Sequence, residues 1–318
     1  MALETQLASI GTDYIKPMLV NNWADGSPLL KRWKAKGNVI ESGNSLRFPI
    51  TYTSVGNATW YTGTQEIPAE EGDEITSVVF AWKQLGGQVV YHGTELLKLD
   101  GDTAKVNLVK AKAQNVVETV SDMLATELFN VGTNALRIDG LRLMTDSTGT
   151  YPNSGGIATA DFGGWAATED TSTNTLTRYA LEDIMLDSAP SGGDEYPTVL
   201  VMNAPNFAKV KSLVTPQERW ESNDNIKIGF RSMTFNGVPI IVDSHSPGSG
   251  TGSTDNWIFG LNEKYVHFYI NKHENFKFGP TLEPITQNAK AQKYLFAGNL
   301  VCTRRDRQFS MQAINPAL

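Results

Sequence analysis

The stretch DTAKVNLVKAKAQNVVETVSDMLATELFNV, residues 102–131, carries the clearest periodicity in the chain. Val106, Val109, Ala113, Val116, Val120, Leu124, Leu128 and Val131 recur at spacings of three and four, which predicts one helix over 103–131 with a single apolar stripe. Asp102 or Thr103 can cap its start by accepting a backbone N–H, and Gly132 permits a left-handed turn at its stop. At about 1.5 Å per residue such a helix is ~43 Å long, more than twice the average. Its charges run against the helix macrodipole: Lys105, Lys110 and Lys112 sit early, Glu118, Asp122 and Glu127 late. Partners outside the helix are expected to set that order.

Upstream the period changes to two. Leu46, Phe48, Ile50 and Tyr52 point one way and Arg47, Thr51 and Thr53 the other, as in a half-buried strand, and Pro49 places that strand at an edge. A return run from Ile75 puts Val78, Phe80 and Trp82 on one face. Between them lies an acidic, turn-rich tip with Glu66, Glu70, Glu71, Asp73 and Glu74. Residues 45–97 therefore read as a long β-hairpin. A two-stranded hairpin is marginal alone, so this one needs a neighbour, from elsewhere in the chain or from another subunit. Its candidate intersubunit contacts are Phe48, Trp60, Phe80 and Trp82, with Glu66, Glu70 and Glu71 at the tip. Residues 1–44 mix short apolar turns with Pro17, Gly26, Pro28, Gly37 and Gly43, and read as an arm with a short helix or two. The arm's basic cluster (Lys31, Arg32, Lys34, Lys36) reads as a solvated face. With the late Arg304, Arg305 and Arg307, it is also the candidate partner for the acidic tip.

Downstream, residues 145–175 are rich in Thr, Ser, Gly and Asn, a loop long enough to be functional or mobile. Leu176 to Ala189 reads as a helix with Leu181, Ile184, Met185 and Ser188 on one face, ended by Pro190 and Gly192-Gly193. Val199 to Met202 is a wholly apolar run, as a buried strand should be, and Pro205 stands where the next helix begins. A second buried strand follows at Val238 to Val242, so this stretch reads as a compact mixed domain. Extended patterns close the chain at Trp257–Gly260, Tyr265–Ile270, Phe276–Phe278 and Tyr294–Ile314.

Composition excludes several function classes. With 318 residues, 40% hydrophobic and 19% charged, the chain has the material for a core, and its charged fraction lies below the usual ~25%. A net charge of −7 argues against a dedicated nucleic-acid binder. The one cysteine, Cys302, excludes an internal disulfide and a Cys-based zinc cluster. The first ten residues lack a basic n-region and an apolar h-region, and no apolar run approaches the ~18 residues of a membrane helix. The expectation is a soluble chain made in a reducing compartment, neither secreted by the general route nor membrane-spanning.

Chemistry-bearing motifs are sparse. The Gly-rich 247–252 lacks the Gly-Lys-Ser/Thr of a phosphate loop, and no G-x-S-x-G elbow exists. His92, His245, His267 and His273 have no metal-ligand spacing. Asp243-Ser244-His245, at the end of a buried strand, is the best enzyme candidate, but period-two geometry puts Ser244 on the opposite face from the other two. It reads as a strand-end polar cluster. No catalytic, cofactor or metal residue is expected.

The order of arm, hairpin, very long helix, mixed domain and closing strands resembles the major capsid proteins of tailed bacteriophages, the shell fold first seen in the Hong Kong 97 phage. The likeness is carried by the helix 103–131 after the hairpin, by Phe235-Asn236-Gly237-Val238-Pro239-Ile240-Ile241-Val242-Asp243-Ser244, and by Ala297-Gly298-Asn299-Leu300-Val301-Cys302-Thr303-Arg304-Arg305. It implies an α+β capsid fold with an N-terminal arm (1–44), an extended hairpin loop (45–97) and a peripheral domain built on the spine helix (98–135). An axial domain (136–255) and return strands completing the peripheral domain (256–318) would follow. The implied function is a non-catalytic head protein that self-assembles into an icosahedral shell of hexamers and pentamers around DNA. The resemblance also implies a portal, non-specific DNA contact, assembly in the host cytoplasm, and either a separate scaffolding protein or a removed pro-segment. Cross-linking through a hairpin lysine is not carried over, because Lys83 lies on the return strand and not at the tip. Two alternatives stay open: an encapsulin-like nanocompartment shell, and a β-rich hydrolase using Asp243 or His245.

Overall fold

A computed structural model describes residues 26–41, 43–51, 59–66, 74–98, 102–149, 154–159, 162–171, 175–189, 195–214, 233–248, 255–283 and 288–317, apart from the side chains of Leu96 and of residues 102–106. The elements in chain order are α1 (Pro28–Lys36), β1 (Asn38–Ile40), β2 (Ser45–Thr51), β3 (Ile75–Ala81), β4 (Lys83–His92), α2 (Gly93–Lys98), α3 (Asp102–Glu127) and α4 (Leu141–Met144). They continue with β5 (Thr168–Asp170), α5 (Arg178–Ser188), β6 (Val199–Met202), α6 (Ala204–Leu213), β7 (Met233–Phe235), β8 (Val238–Val242), β9 (Asn256–Leu261), β10 (Val266–Asn271), β11 (Lys277–Leu282), β12 (Ala289–Cys302) and β13 (Phe309–Ile314).

Helix starts follow their sequence signals. Ser27 accepts from Leu30 N at 3.1 Å with Pro28 at the first helical position of α1; Thr177 caps α5 and Asn203 caps α6 in the same way. The spine helix α3 ends at Glu127, short of the expected Val131. There Leu128 O accepts from Leu141 N at 2.7 Å, and Gly132 takes φ +72°, turning the chain back under the helix. The apolar stripe is buried at Val120, Leu124 and Leu128, while Val109, Ala113 and Val116 are half-buried; the side chains of Val106 and of the expected N-caps Asp102 and Thr103 lie outside the described ones. Gly87 of β4 lets the helix lie close, because a Cβ there would stand 2.7 Å from Val116 Cγ1. The reversed charge order finds its partners within the chain: Lys112 with Glu95 (2.6 Å), Asp122 with His245 (3.0 Å) and Glu127 with Arg137 (2.6 Å).

Among the described residues three sheets carry the fold. One is six-stranded in the order β5-β13-β9-β6-β8-β7. Val199 and Val201 of its strand β6 enter one core, and Leu200 and Met202 enter another beneath α5 and α6. Both faces are covered, which is why this strand shows no alternation in sequence. A five-stranded sheet runs β1-β10-β12-β11, with β4 also paired to β12. The first core is shared between the two: α1, the end of α3, β6, β9, β10 and β12 all contribute to it.

This arrangement departs from the expected divisions at three places. Residues 83–92 leave the hairpin and pair with β12 from Lys83↔Gly298 to His92↔Ala289, because the alternation continues through Trp82 without a turn signal. Within 256–318, expected to complete the peripheral domain, β9 and β13 are inner strands of the six-stranded sheet. The arm holds a short helix as expected, α1, but it is not separate from the body, since Leu29, Leu30 and Trp33 of α1 are buried in the shared core.

The hairpin itself is β2 against β3, from Ser45↔Ala81 to Thr51↔Ile75, a two-stranded sheet in which Pro49 sits on an edge as expected. Its cover comes from 145–175, read above as a loop. That stretch holds two short 3-10 turns (Ser154–Gly156 and Gly163–Trp165) and β5, parallel to β13. Its Ile157 and Trp165 pack with Leu46, Val78 and Phe80.

Candidate assembly interface

The hairpin divides into a covered foot and a bare end. At the foot Phe80 is 1% exposed, so it belongs to the subunit's own core and is no contact surface, contrary to expectation. Phe48 lies 5.4 Å from the Tyr269 ring, and Trp82 donates from its indole N–H to Gly43 O at 2.8 Å. At the far end residues 59–66 are all exposed around a turn closed by Gln65 N donating to Thr62 O. Trp60 is 99% exposed, with Tyr61 beside it, and Glu66 is exposed on the same segment. Glu70, Glu71 and Asp73 lie outside the described residues.

The basic candidates are engaged within the subunit. Arg32 forks onto Glu263 at 2.7 and 2.8 Å, and Lys36 joins at 2.7 Å. Burial pushes the Glu263 carboxyl up, but those hydrogen bonds together outweigh it and hold the group below the ordinary carboxylate range. Lys34 stands 3.8 Å over the Phe276 ring, and burial lowers its amine to about 8. Lys31 is exposed. Arg304 pairs with Glu195 (2.7 Å) and Asp306 (3.2 Å), and Arg307 with Glu195 (2.8 Å). Arg305 is 2% exposed and donates to the carbonyls of Leu143, Met144 and Asp146. It braces the end of α4 and the turn beyond it and offers nothing to a neighbour, which corrects its place among the contact candidates.

Asp243 and His245 do come together, as the strand-end reading expected. His245 Nδ1 lies 3.1 Å from Asp243 Oδ1, and Nε2 lies 3.0 Å from Asp122 Oδ1. The Asp243 hydrogen bond, opposed by burial and helped by Asp122, raises the imidazole to about 9. Asp243 also accepts from Ser27 Oγ. Carboxylates occupy both ring nitrogens, and the serine that meets this cluster donates to Asp243 and is itself buried. No nucleophile–base pair results. The cluster ties the start of α1, the spine helix and the end of β8 with one imidazolium. Among the described residues no group of three His, Cys, Asp or Glu side chains could hold a metal, and no helix is long and apolar enough to cross a membrane.

A sequence profile of the phage capsid family matches residues 15–295. The chain belongs to the phage capsid family. No curated protein sequence matches it. Among solved structures it is similar to the capsid asymmetric unit of cyanophage A-1(L), at 14% identity over 96% of this chain and 97% of that one, with a TM-score of 0.69. It is similar to the capsid of a native GTA particle at 12% identity, covering 98% and 100%, with a TM-score of 0.59. The encapsulin of the holo-SrpI complex from Synechococcus elongatus is also similar, at 12% identity over 100% and 97%, with a TM-score of 0.57. The fold is the Hong Kong 97 phage-type shell fold, and this phage capsid family member is a structural component of the virion shell, built to associate with its own kind.

Sequence reasoning named Trp60 and Glu66 on this surface but missed two body residues, Met123 and Leu136, which are 48% and 80% exposed. Met123 falls off the spine's stripe, and Leu136 interrupts a polar turn; an apolar residue out of pattern is the signal that could have found both.

Proposed function

We propose that this chain is the head protein whose hexamers and pentamers close the icosahedral shell around phage DNA, and that it catalyses no reaction. The observation that carries the intersubunit part is the bare end of the hairpin: Trp60 is 99% exposed while the foot is packed on its own subunit. A Trp held out in this way is what a neighbouring copy would cover, and many weak contacts repeated by symmetry add up to a closed shell. A scaffolding protein, a portal, loose contact of the lining with packaged DNA and assembly in the host cytoplasm belong to the same reading. The acidic balance of −7 suits a lining that does not grip DNA tightly.

Expression followed by electron microscopy tests it: shells are expected from the intact chain, and a folded but assembly-defective subunit from deletion of residues 60–75. Normal shells from that deletion would overturn the hairpin's role. The whole-chain likeness to an encapsulin favours one second reading, a nanocompartment with protein cargo. Nucleic acid against protein inside purified particles separates the two.

A further inference from the structure

Beside the foot of the hairpin a cavity of about 290 Å3 lies between the end of α3, the turn that follows and the start of β4. Leu85, Met123, Leu136, Ile138 and Phe296 supply its apolar wall, and Lys83 and Arg137 stand among its lining. Met123 and Leu136 remain exposed, so the subunit does not close this wall itself. We propose that the cavity receives Trp60 of a second copy of this chain, which names the docking partner within the shell reading and rests on it.

Three observations converge. The chain carries both halves of the contact, a bare aromatic and an open apolar socket. In the subunit they stay apart: the ladder from Ser45↔Ala81 to Thr51↔Ile75 carries the hairpin about 20 Å from its foot, at ~3.3 Å per residue, while Lys83 in the socket wall follows that foot closely in sequence. Charge matches in part: Glu66 shares the exposed segment with Trp60, and the socket lining holds Lys83 and Arg137 against one carboxylate, Glu127, which is paired to Arg137, while the Lys83 ammonium donates to Ala135 O. A Trp seated in an apolar pocket with charges at its rim is the usual anatomy of an energetic anchor. Far end into foot is a heterologous contact, and such contacts close into rings when the rotation permits.

The test uses two populations of the full chain, one Tyr61→Cys and one Leu136→Cys, with Met123→Cys as a second socket position. Cys302, the one native cysteine, is buried, so background labelling is low. After co-assembly and treatment with a short bismaleimide, the expected product is a dimer holding one chain from each population. Trp60→Ala should raise the concentration needed for assembly about tenfold or more while leaving the monomer's melting temperature unchanged. Shells co-assembled from the cysteine variants that give no cross-population link at either socket position, or Trp60→Ala that assembles as wild type, overturn the docking and leave the shell reading intact. A wild-type chain that never assembles overturns both.

Discussion

The two ends of the hairpin are built from similar residues and have opposite fates. At the foot, Leu46, Val78 and Phe80 are covered by Ile157 and Trp165 of the same chain; at the far end Trp60 and Tyr61 have no cover. Apolar content therefore does not say who the partner is. What distinguishes the ends is Ile157 and Trp165, which reach the foot and anchor the hairpin to the body. A folded subunit can thus offer its far end to another copy without first needing that copy to fold.

The comparison breaks most easily at the foot. Phe80→Asp would put an unpartnered carboxylate into a 1% exposed site and should cost several kcal/mol, seen as insoluble protein or a collapsed urea midpoint. An unchanged midpoint would mean the foot is no core. Trp165→Ala attacks the same contact from the platform and should cost about 3 kcal/mol in urea unfolding, less if the site collapses. A smaller effect inside the subunit comes from pH. The His245 imidazole is raised to about 9, so its contribution is complete below the unfolded value of about 6.5 and lost as pH climbs through about 9. The wild type should lose melting temperature between pH 7 and 10 more steeply than His245→Gln, and parallel curves would remove the clamp from the stability of α1, α3 and β8. At the far end the effect on the lone subunit should nearly vanish: Trp60→Ala should change unfolding by less than about 0.5 kcal/mol. A large loss would show that Trp60 has intramolecular cover. Smallest of all, Glu66→Lys should leave the subunit unaltered and slow assembly only at low salt, since exposed charge pairs contribute at most about 1 kcal/mol each and are screened beyond ~8 Å. Assembly indifferent to both changes would make Glu66 an ordinary solvated residue.

Much of the fold was legible because its signals are local. The spine stripe, the wholly apolar run Val199–Met202 and the helices signalled by the Leu176–Ala189 pattern and by Pro205 each declare themselves within a short stretch of sequence. What could not be read depends on pairings across the chain. Nothing local in Lys83–His92 says that its ladder partner begins at Ala289. Arg32 reads as a solvated cation until Glu263, 231 residues away, meets it. Arg305 reads as surface charge until the carbonyls of Leu143 and Met144 at the end of α4 and of Asp146 just beyond it take its guanidinium. The hairpin's cover was missed because Ile157 and Trp165 are thinly scattered through polar sequence. At the interface, Trp60 was legible as an aromatic in a hairpin, whereas the socket exists only once α3, the following turn and β4 have met.

The shared core has a mechanical consequence. α1, the end of α3, β6, β9, β10 and β12 bury side chains in one cluster, so the two larger sheets cannot shear past each other without opening it. Close-packed interiors are poorly compressible and transmit strain. A wall tiled from such subunits would hold each tile stiff and yield at the joints. When the container swells or dents, it is the hairpins, each rooted in one subunit and reaching to the next, that would flex.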